Sequence, residues 1–204
     1  MKFIKNTKYY TGIVYEWNLP TGTTCPYALD CKVTVNRETG KFDINKEGLY
    51  RCYAASSERF PVVRESRWKN FEYVKNGGIP VIPKDCKNIR IHASGDFFNQ
   101  KYFDMWVDLA TKTPDVNFWA YTKSIQFWVN RLSVIPNNFI ITASYGGKQD
   151  YLIKEHNLKH TIVYKSKDDV PVGIPIDRND DYARLPNINF ALLDNMKNSK
   201  REIK

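Results

Sequence analysis

The second half of the chain alternates between short apolar runs and segments whose apolar residues have helical spacing. Phe103, Trp106 and Val107, for example, lie three and four positions apart, which is typical of one face of a helix. The predicted strands are residues 89–93, 116–121, 138–144 and 161–164, and the predicted helices are residues 99–112, 125–134 and 150–157. Strands that alternate with helices in this way predict βαβ units and a parallel sheet.

The first half predicts a strand at 10–19, a helix at 61–75 and, between them, an inserted β-hairpin near residues 32–45. A full eight-fold (βα) barrel usually needs about 250 residues. The 204 residues therefore predict a single α/β domain over 1–204, a short or incomplete (βα) barrel with mainly parallel strands. An open doubly wound sheet is the alternative.

Charge favours a polyanionic partner. The chain has 31 Lys and Arg against 22 Asp and Glu, a formal net charge of +9, which favours DNA or RNA. Arg59, Arg64 and Arg67 are the predicted nucleic-acid contacts, whereas the basic stretch from about residue 195 could be a solvated tail. Without a long apolar run or a signal-peptide pattern, the sequence predicts a cytoplasmic protein that does not enter the membrane.

An acidic turn directly follows the strand at 89–93. Side chains at the carboxyl ends of parallel strands meet at one edge of the sheet, so Asp96 is the first candidate for a catalytic group. The alternative is that Asp96 only caps the next helix, for which Asn99 is the predicted N-cap. The predicted substrate-binding residues around this edge are His92, Ser94, Gly95, Phe97 and Lys123.

Three cysteines follow the first predicted strand. Cys25, Cys31 and Cys52 are separated by five and 20 residues, and thiolates suit zinc or an iron–sulfur cluster. This spacing matches no standard zinc or cluster pattern. The alternative is that these residues, like Cys86 further on, are small buried apolar side chains.

Several short motifs over roughly residues 10–147 resemble the gene product 88 family of phages and plasmids. They are Gly12-Ile13, Trp17 to Pro20, Thr24 to Pro26, Cys31, Cys52 to Ala54, Arg59-Phe60, Val63-Arg64, Asn70, Ile89 to Phe97 and Phe118 to Ser124. The cysteine-rich front of this family is similar to the radical S-adenosylmethionine barrels. That resemblance implies a [4Fe–4S] cluster on Cys25, Cys31 and Cys52, with S-adenosylmethionine as cosubstrate.

This chain departs from that pattern in two ways. The hairpin separates the third cysteine from the second, and the further cysteine group that many relatives carry near the C-terminus is missing after Cys86. The segment from Gly173 to Asp181 stands in its place.

A second resemblance is to the tRNA-guanine transglycosylase barrels and their DNA-acting phage relatives. The stretch Ser94 to Phe97 is similar to their Ser-Gly-Gly-Phe, although Ala93 stands where those enzymes carry an acid. This resemblance implies exchange of guanine for a 7-deazaguanine, with Asp96 and Asp177 as nucleophile and proton-transfer partner. Base modification by this route is the first functional prediction. The alternatives are radical chemistry with S-adenosylmethionine and a non-enzymatic phage protein that binds nucleic acid or blocks a host defence.

Overall fold

The computed structural model describes residues 2–9 and 12–194. Its strands are β1 Ile4–Tyr9, β2 Gly12–Trp17, β3 Val33–Val35, β4 Phe42–Ile44, β5 Asn88–Ile91, β6 Asn117–Thr122, β7 Phe139–Ser144, β8 His160–Tyr164 and β9 Phe190–Leu193. Its α-helices are α1 Pro61–Lys75, α2 Gln100–Lys112, α3 Ile125–Val129 and α4 Tyr151–Glu155. The first two residues of the predicted strand at 10–19 and the predicted basic tail lie outside the described residues.

Seven of these strands form one sheet in the order β1-β2-β5-β6-β7-β8-β9. Within this sheet the strands β2, β5, β6, β7, β8 and β9 are parallel, and β1 pairs antiparallel with β2 at one edge. Each new parallel strand is added beside the previous one. The predicted mixed α/β fold with mainly parallel strands is therefore confirmed. Because β1 and β9 remain at opposite edges, the described strands do not close into a barrel.

The helices cover one face of the sheet, where most of the apolar core lies. Trp17, Ile89 and Phe118 point to this face from successive strands and pack with Trp106 of α2. Residues from all four α-helices join this cluster. Alternate apolar side chains of these strands therefore point to the face that the helices cover, as expected for helices that connect parallel strands.

The second face of the sheet is covered by a C-terminal segment, residues 174–189, which we call the strap. Trp119 and Phe190 pack there with Ala183 of the strap. Asp180 of the strap accepts hydrogen bonds from Trp119 Nε1 (3.1 Å) and Tyr121 Oη (2.9 Å). It also forms a largely buried ion pair with Arg90 of β5, at 3.0 Å. The Asp180 carboxylate is thus one of the groups that attach the strap to the sheet, together with backbone hydrogen bonds to Ala191 of β9.

The predicted hairpin is confirmed as an antiparallel pair of β3 and β4 that is separate from the main sheet. Asn36 organises its turn, since its side-chain oxygen accepts hydrogen bonds from the backbone of Glu38 and Thr39. Arg64 of α1 donates to the carbonyls of Arg37 and Glu38. The insertion is therefore anchored to α1 rather than projecting away from it.

Several predicted boundaries shift. The helix predicted at 125–134 is divided into α3 and a 3-10 turn, Leu132–Val134. The strand predicted at 89–93 ends at Ile91, because His92 has a φ of 65°, outside the extended region. Asn99 is the N-cap of α2, as predicted, and accepts a hydrogen bond from Tyr102 N. Across the described chain, none of the helices has the length and apolarity needed to cross a membrane.

Candidate functional site at the carboxyl ends of the parallel strands

The carboxyl ends of β5, β6 and β7 are joined by side chains that follow each strand. Asp96, after β5, accepts hydrogen bonds from Thr122 Oγ1 at 2.6 Å and from Lys123 N at 2.9 Å. Lys123, after β6, donates in turn to Ser144 Oγ at the end of β7, at 2.8 Å. The polar residues that follow these strands are therefore neighbours, as the parallel sheet predicts.

The turn at Ser94-Gly95 packs tightly on the loop that follows β2. Ser94 Oγ donates to the carbonyl of Leu19 at 2.7 Å, and Ser94 N donates to Asn18 Oδ1 at 3.0 Å. Gly95 has a φ of +87°, and a Cβ at this position would come within 2.7 Å of Leu19 and of Thr24 Oγ1. Only glycine combines this conformation with so close an approach. Ser94 and Gly95 therefore fix the position of the loop that leads to Cys25.

Asp96 is almost completely buried, with 5% of its surface exposed. Both carboxylate oxygens accept hydrogen bonds. Oδ1 accepts from Thr122 Oγ1 and from Phe97 N, the latter at 2.7 Å, and Oδ2 accepts from Lys123 N. Burial raises the pKa of this carboxyl to about 6, while the hydrogen bonds from Thr122, Lys123 and Phe97 act in the opposite direction. A carboxyl group of this kind can exchange a proton near neutral pH.

Lys123 is also buried at this edge, and its ammonium group is surrounded by oxygen atoms. Nζ donates to the carbonyls of Ser144 (3.0 Å) and Tyr145, to Ser144 Oγ and to Tyr50 Oη (3.2 Å). Tyr50 precedes Cys52 by two positions in the sequence. The cation therefore connects β7 with the segment that carries the third cysteine.

Cys25, Cys31 and Cys52 are free, half-buried thiols. Burial raises the pKa of each thiol, to about 11 for Cys31. The charges of Asp96, Cys52 and Cys31 raise the pKa of Cys25 further, and the cation of Lys123 lowers that of Cys31. The three thiols therefore share one electrostatic environment with Asp96 and Lys123.

The three thiols are not arranged as a metal site in this structure. Within residues 2–9 and 12–194, no group of three or more His, Cys, Asp or Glu side chains is arranged so that it could hold a metal ion. Cys86 lies apart from the other three, buried in the helix-face core, with its Sγ 3.6 Å from the carbonyl of Asn88. It belongs to the core rather than to the thiol group.

Asp177, the second predicted carboxylate, belongs to the strap. Its two oxygens accept hydrogen bonds from the backbone nitrogens of Asn179, Asp181, Tyr182 and Ala183, at 2.9 to 3.1 Å. Among the described residues, Asp96 and Asp177 share no hydrogen-bonding partner. The structure therefore gives Asp177 a role in shaping the strap and does not bring it together with Asp96 through any such contact.

The comparison with known proteins identifies the family. The sequence profile described as gene product 88 matches residues 2–203, nearly the whole chain. The chain belongs to the gene product 88 family. It is similar to the Gene 88 protein of Mycobacterium phage L5, with 46% identity over 46 residues, which covers 20% of this chain and 19% of the phage protein. No solved structure matches the chain.

The arginines predicted to contact nucleic acid differ in exposure in this gene product 88 protein. Arg64 and Arg67 are 5% and 7% exposed, and their guanidinium groups donate to the hairpin and to the segment after Cys52. Arg59 is exposed, with its guanidinium 4.8 Å from the ring of Phe60. The contacts give Arg64 and Arg67 structural roles, and contact with nucleic acid remains a prediction for all three.

His92 and Phe97, predicted to bind substrate, are buried in the gene product 88 fold. Phe97 is completely buried, and His92 lies 4.7 Å from its ring, between centroids. His92 Nε2 pairs with Tyr102 Oη at 2.9 Å, and Nδ1 has no hydrogen-bond partner among the described residues. Both side chains are packed in the interior beside the Asp96 turn, so neither presents a free surface to a substrate.

Burial of His92 predicts a loss of stability in acid. Burial lowers the pKa of this imidazole from 6.5 to about 3, so below pH 6.5 the unfolded chain binds a proton that the folded chain does not. We expect His92 to decrease the free energy of unfolding by about 1.4 kcal/mol per pH unit as the pH falls from about 6 to about 4. Urea unfolding at several pH values should show a smaller acid dependence in His92→Asn, because asparagine does not titrate. Asparagine is chosen because it tolerates the positive φ at this position.

Asp96 provides the control for this measurement, because its contribution has the opposite sign. Its folded pKa is raised from 3.8 to about 6, so its contribution to stability is largest below pH 4 and is lost as the pH rises through 6. An Asp96→Asn variant should therefore lose more stability in acid than wild type does. An unchanged pH profile in His92→Asn would contradict the assignment to His92.

Sequence reasoning missed one residue that builds this site, Tyr50. Tyr50, Thr122 and Ser144 each bond to Lys123 or Asp96. A usable signal exists only for Thr122 and Ser144, which are small polar residues at the ends of predicted strands. Tyr50 reaches the site from the segment that follows the hairpin, and no local pattern marks it.

Proposed function

We propose that this gene product 88 protein is an iron–sulfur enzyme of the radical S-adenosylmethionine type, with Cys25, Cys31 and Cys52 as cluster ligands. The observation that supports the proposal is that the charges of these three thiols, which are distant in sequence, act on one another near the carboxyl end of the first parallel strands. Thiolates are the usual ligands of such clusters. By chemical type, the three cysteines would therefore suit a [4Fe–4S] cluster, which would require their side chains to rearrange from the positions seen here.

The fold is compatible with this chemistry. In the proposal the parallel strands from β2 to β9 form an incomplete (βα) barrel, which the addition of strands in sequence order and the helices on one face support. A bound cluster would supply reductive chemistry toward S-adenosylmethionine, with the electron coming from an external reductant. The residues of this chain would hold the thiols in place and keep a cation, Lys123, and a protonatable carboxyl, Asp96, beside them.

The proposed substrate is a nucleic acid, because the formal net charge of +9 favours a polyanion. The described arginines that are buried cannot supply this attraction without rearrangement, so exposed basic residues such as Arg59 are the proposed contacts. Binding should then weaken steeply as the salt concentration rises.

Anaerobic purification and reconstitution with iron and sulfide test the function. We expect a brown protein with about four iron atoms per chain. With S-adenosylmethionine and a chemical reductant it should release 5′-deoxyadenosine. A colourless protein that holds stoichiometric zinc and cleaves no S-adenosylmethionine would overturn the proposal, and the thiol site would then be structural.

Base exchange by Asp96 and Asp177 is the second candidate. The observation that favours it is the buried Asp96 carboxyl with a pKa of about 6, which suits proton transfer. The separate hydrogen-bond environments of the two carboxylates give it less support. A 7-deazaguanine found by mass spectrometry in the nucleosides of cells that express the protein would favour this candidate over cluster chemistry.

A further inference from the structure

Cys52 depends on tertiary contacts for its position. Cys31 and Cys52 are separated by 20 residues, and these include the β3–β4 hairpin. Local backbone geometry cannot therefore set the distance between the third thiol and the other two. The segment after Cys52, the 3-10 helix Tyr53–Arg59, must be held against the loop that carries Cys25 by other groups.

A buried ion pair joins this 3-10 helix, through Glu58, to Arg67 of α1. Arg67 Nη1 of α1 is 2.8 Å from Glu58 Oε1, and the side chains are 9% and 0% exposed. Glu58 Oε1 also accepts a hydrogen bond from Thr21 N at 2.8 Å, in the turn that leads to Cys25. Glu58 thus contacts the first thiol-bearing loop through the backbone.

Arg67 contacts the second thiol-bearing segment. Its Nη1 donates to the carbonyl of Ala54, two residues after Cys52, at 2.9 Å, and its Nη2 donates to Ser57 Oγ at 2.8 Å. The charges of Arg67 and Glu58 are also close enough to Cys52 to act on its thiol electrostatically. The pair therefore connects the loop before Cys25 with the segment after Cys52.

We infer that Glu58 and Arg67 are positioning residues that set the distance between Cys52 and Cys25 for metal binding. Stability alone is a weak reason for such a pair, since apolar side chains of similar volume in place of a buried ion pair are often neutral or stabilising. What apolar side chains cannot do is hold Thr21 N and Ala54 O at a fixed separation. This inference deepens the proposed function and rests on the thiols being metal ligands.

The decisive variant replaces both charges at once, Glu58→Met with Arg67→Met, in the full-length chain. It should still fold, because no unpaired charge is left in the interior, with an unfolding midpoint lowered by the lost hydrogen bonds to Thr21 N and Ala54 O. We expect its affinity for zinc, measured anaerobically by chelator competition, to fall at least about 10-fold, within the 10- to 100-fold range typical of lost supporting contacts. Iron incorporation should fall in parallel.

Ile141→Val is the control, because it removes one methylene group from the helix-face core and touches neither segment. Its zinc affinity should equal that of wild type. Wild-type affinity in the double variant would overturn the inference, and so would equal losses in the double variant and the control.

A metal-free measurement separates this inference from the proposed function. A short bis-maleimide should bridge Cys25 and Cys52 more slowly in the double variant than in wild type, and peptide mass spectrometry identifies the bridged pair. If wild type binds neither zinc nor iron but the bridging rate still falls, the positioning role holds and the metal function fails. Equal bridging rates would contradict the positioning role directly.

Discussion

Replacement of Cys52 by serine is expected to abolish iron incorporation, from about four atoms per chain to nearly none. The charge of Cys52 acts on Cys25 and Cys31 because the fold returns the chain to the first strands after the hairpin. A cluster left with two thiol ligands is not retained. Iron and sulfide analysis of the anaerobically reconstituted protein, with its visible absorption spectrum, measures the effect. Cys25→Ser and Cys31→Ser should behave in the same way.

Cys86→Ser is the matched control. Cys86 is buried in the helix-face core at 4% exposure and lies apart from the other thiols. The variant should keep the full iron content and lose only some stability, because a hydroxyl replaces a thiol in an apolar environment. Iron content that falls equally in all four variants would indicate a general folding defect and would contradict the assigned ligand set.

Asp180→Asn is expected to lower the free energy of unfolding by about 3–5 kcal/mol, since it leaves the buried Arg90 cation without its counter-ion. The carboxylate of Asp180 holds the strap to the sheet through Arg90, Trp119 and Tyr121. Asparagine keeps the size of the side chain and tolerates the φ of 60° at this position, so the substitution isolates the charge. Urea unfolding monitored by tryptophan fluorescence measures the change.

Asp181→Asn controls for the strap itself. Asp181 pairs with Arg184 at 2.6 Å, but its side chain is 50% exposed. Such an exposed pair contributes at most about 1 kcal/mol. Similar losses in both variants would mean that the strap, rather than the buried charge pair, determines the effect.

Elements with a strong internal pattern could be predicted from the sequence. The α1 helix occupies 61–75 as predicted, and the hairpin lies within the predicted 32–45. Apolar periodicity and turn residues are local properties, so they can be read from neighbouring positions. The edge strand β1 escaped prediction because Ile4–Tyr9 is mostly polar, and the short β9 escaped because it follows an irregular strap.

The candidate site was predictable only in part. Asp96 could be placed at the end of a buried strand, and the three thiols could be grouped by type. Arg64 and Arg67 could not be recognised as buried, because a charged residue on a helix normally faces solvent. Asp177 could not be separated from Asp96, since both are acidic residues at predicted loop positions.

The sequence by itself determines the parallel α/β architecture, the inserted hairpin and the identity of the chemical groups, because periodicity, turn chemistry and residue type are local. Only the tertiary structure decides which of those groups meet. Arg67 of α1 pairs with Glu58, which accepts from Thr21 N in a distant turn, and Arg90 pairs with Asp180 from a segment about ninety residues away. Such pairings depend on the packing of distant segments, and no local pattern encodes which distant partner a buried charge will find.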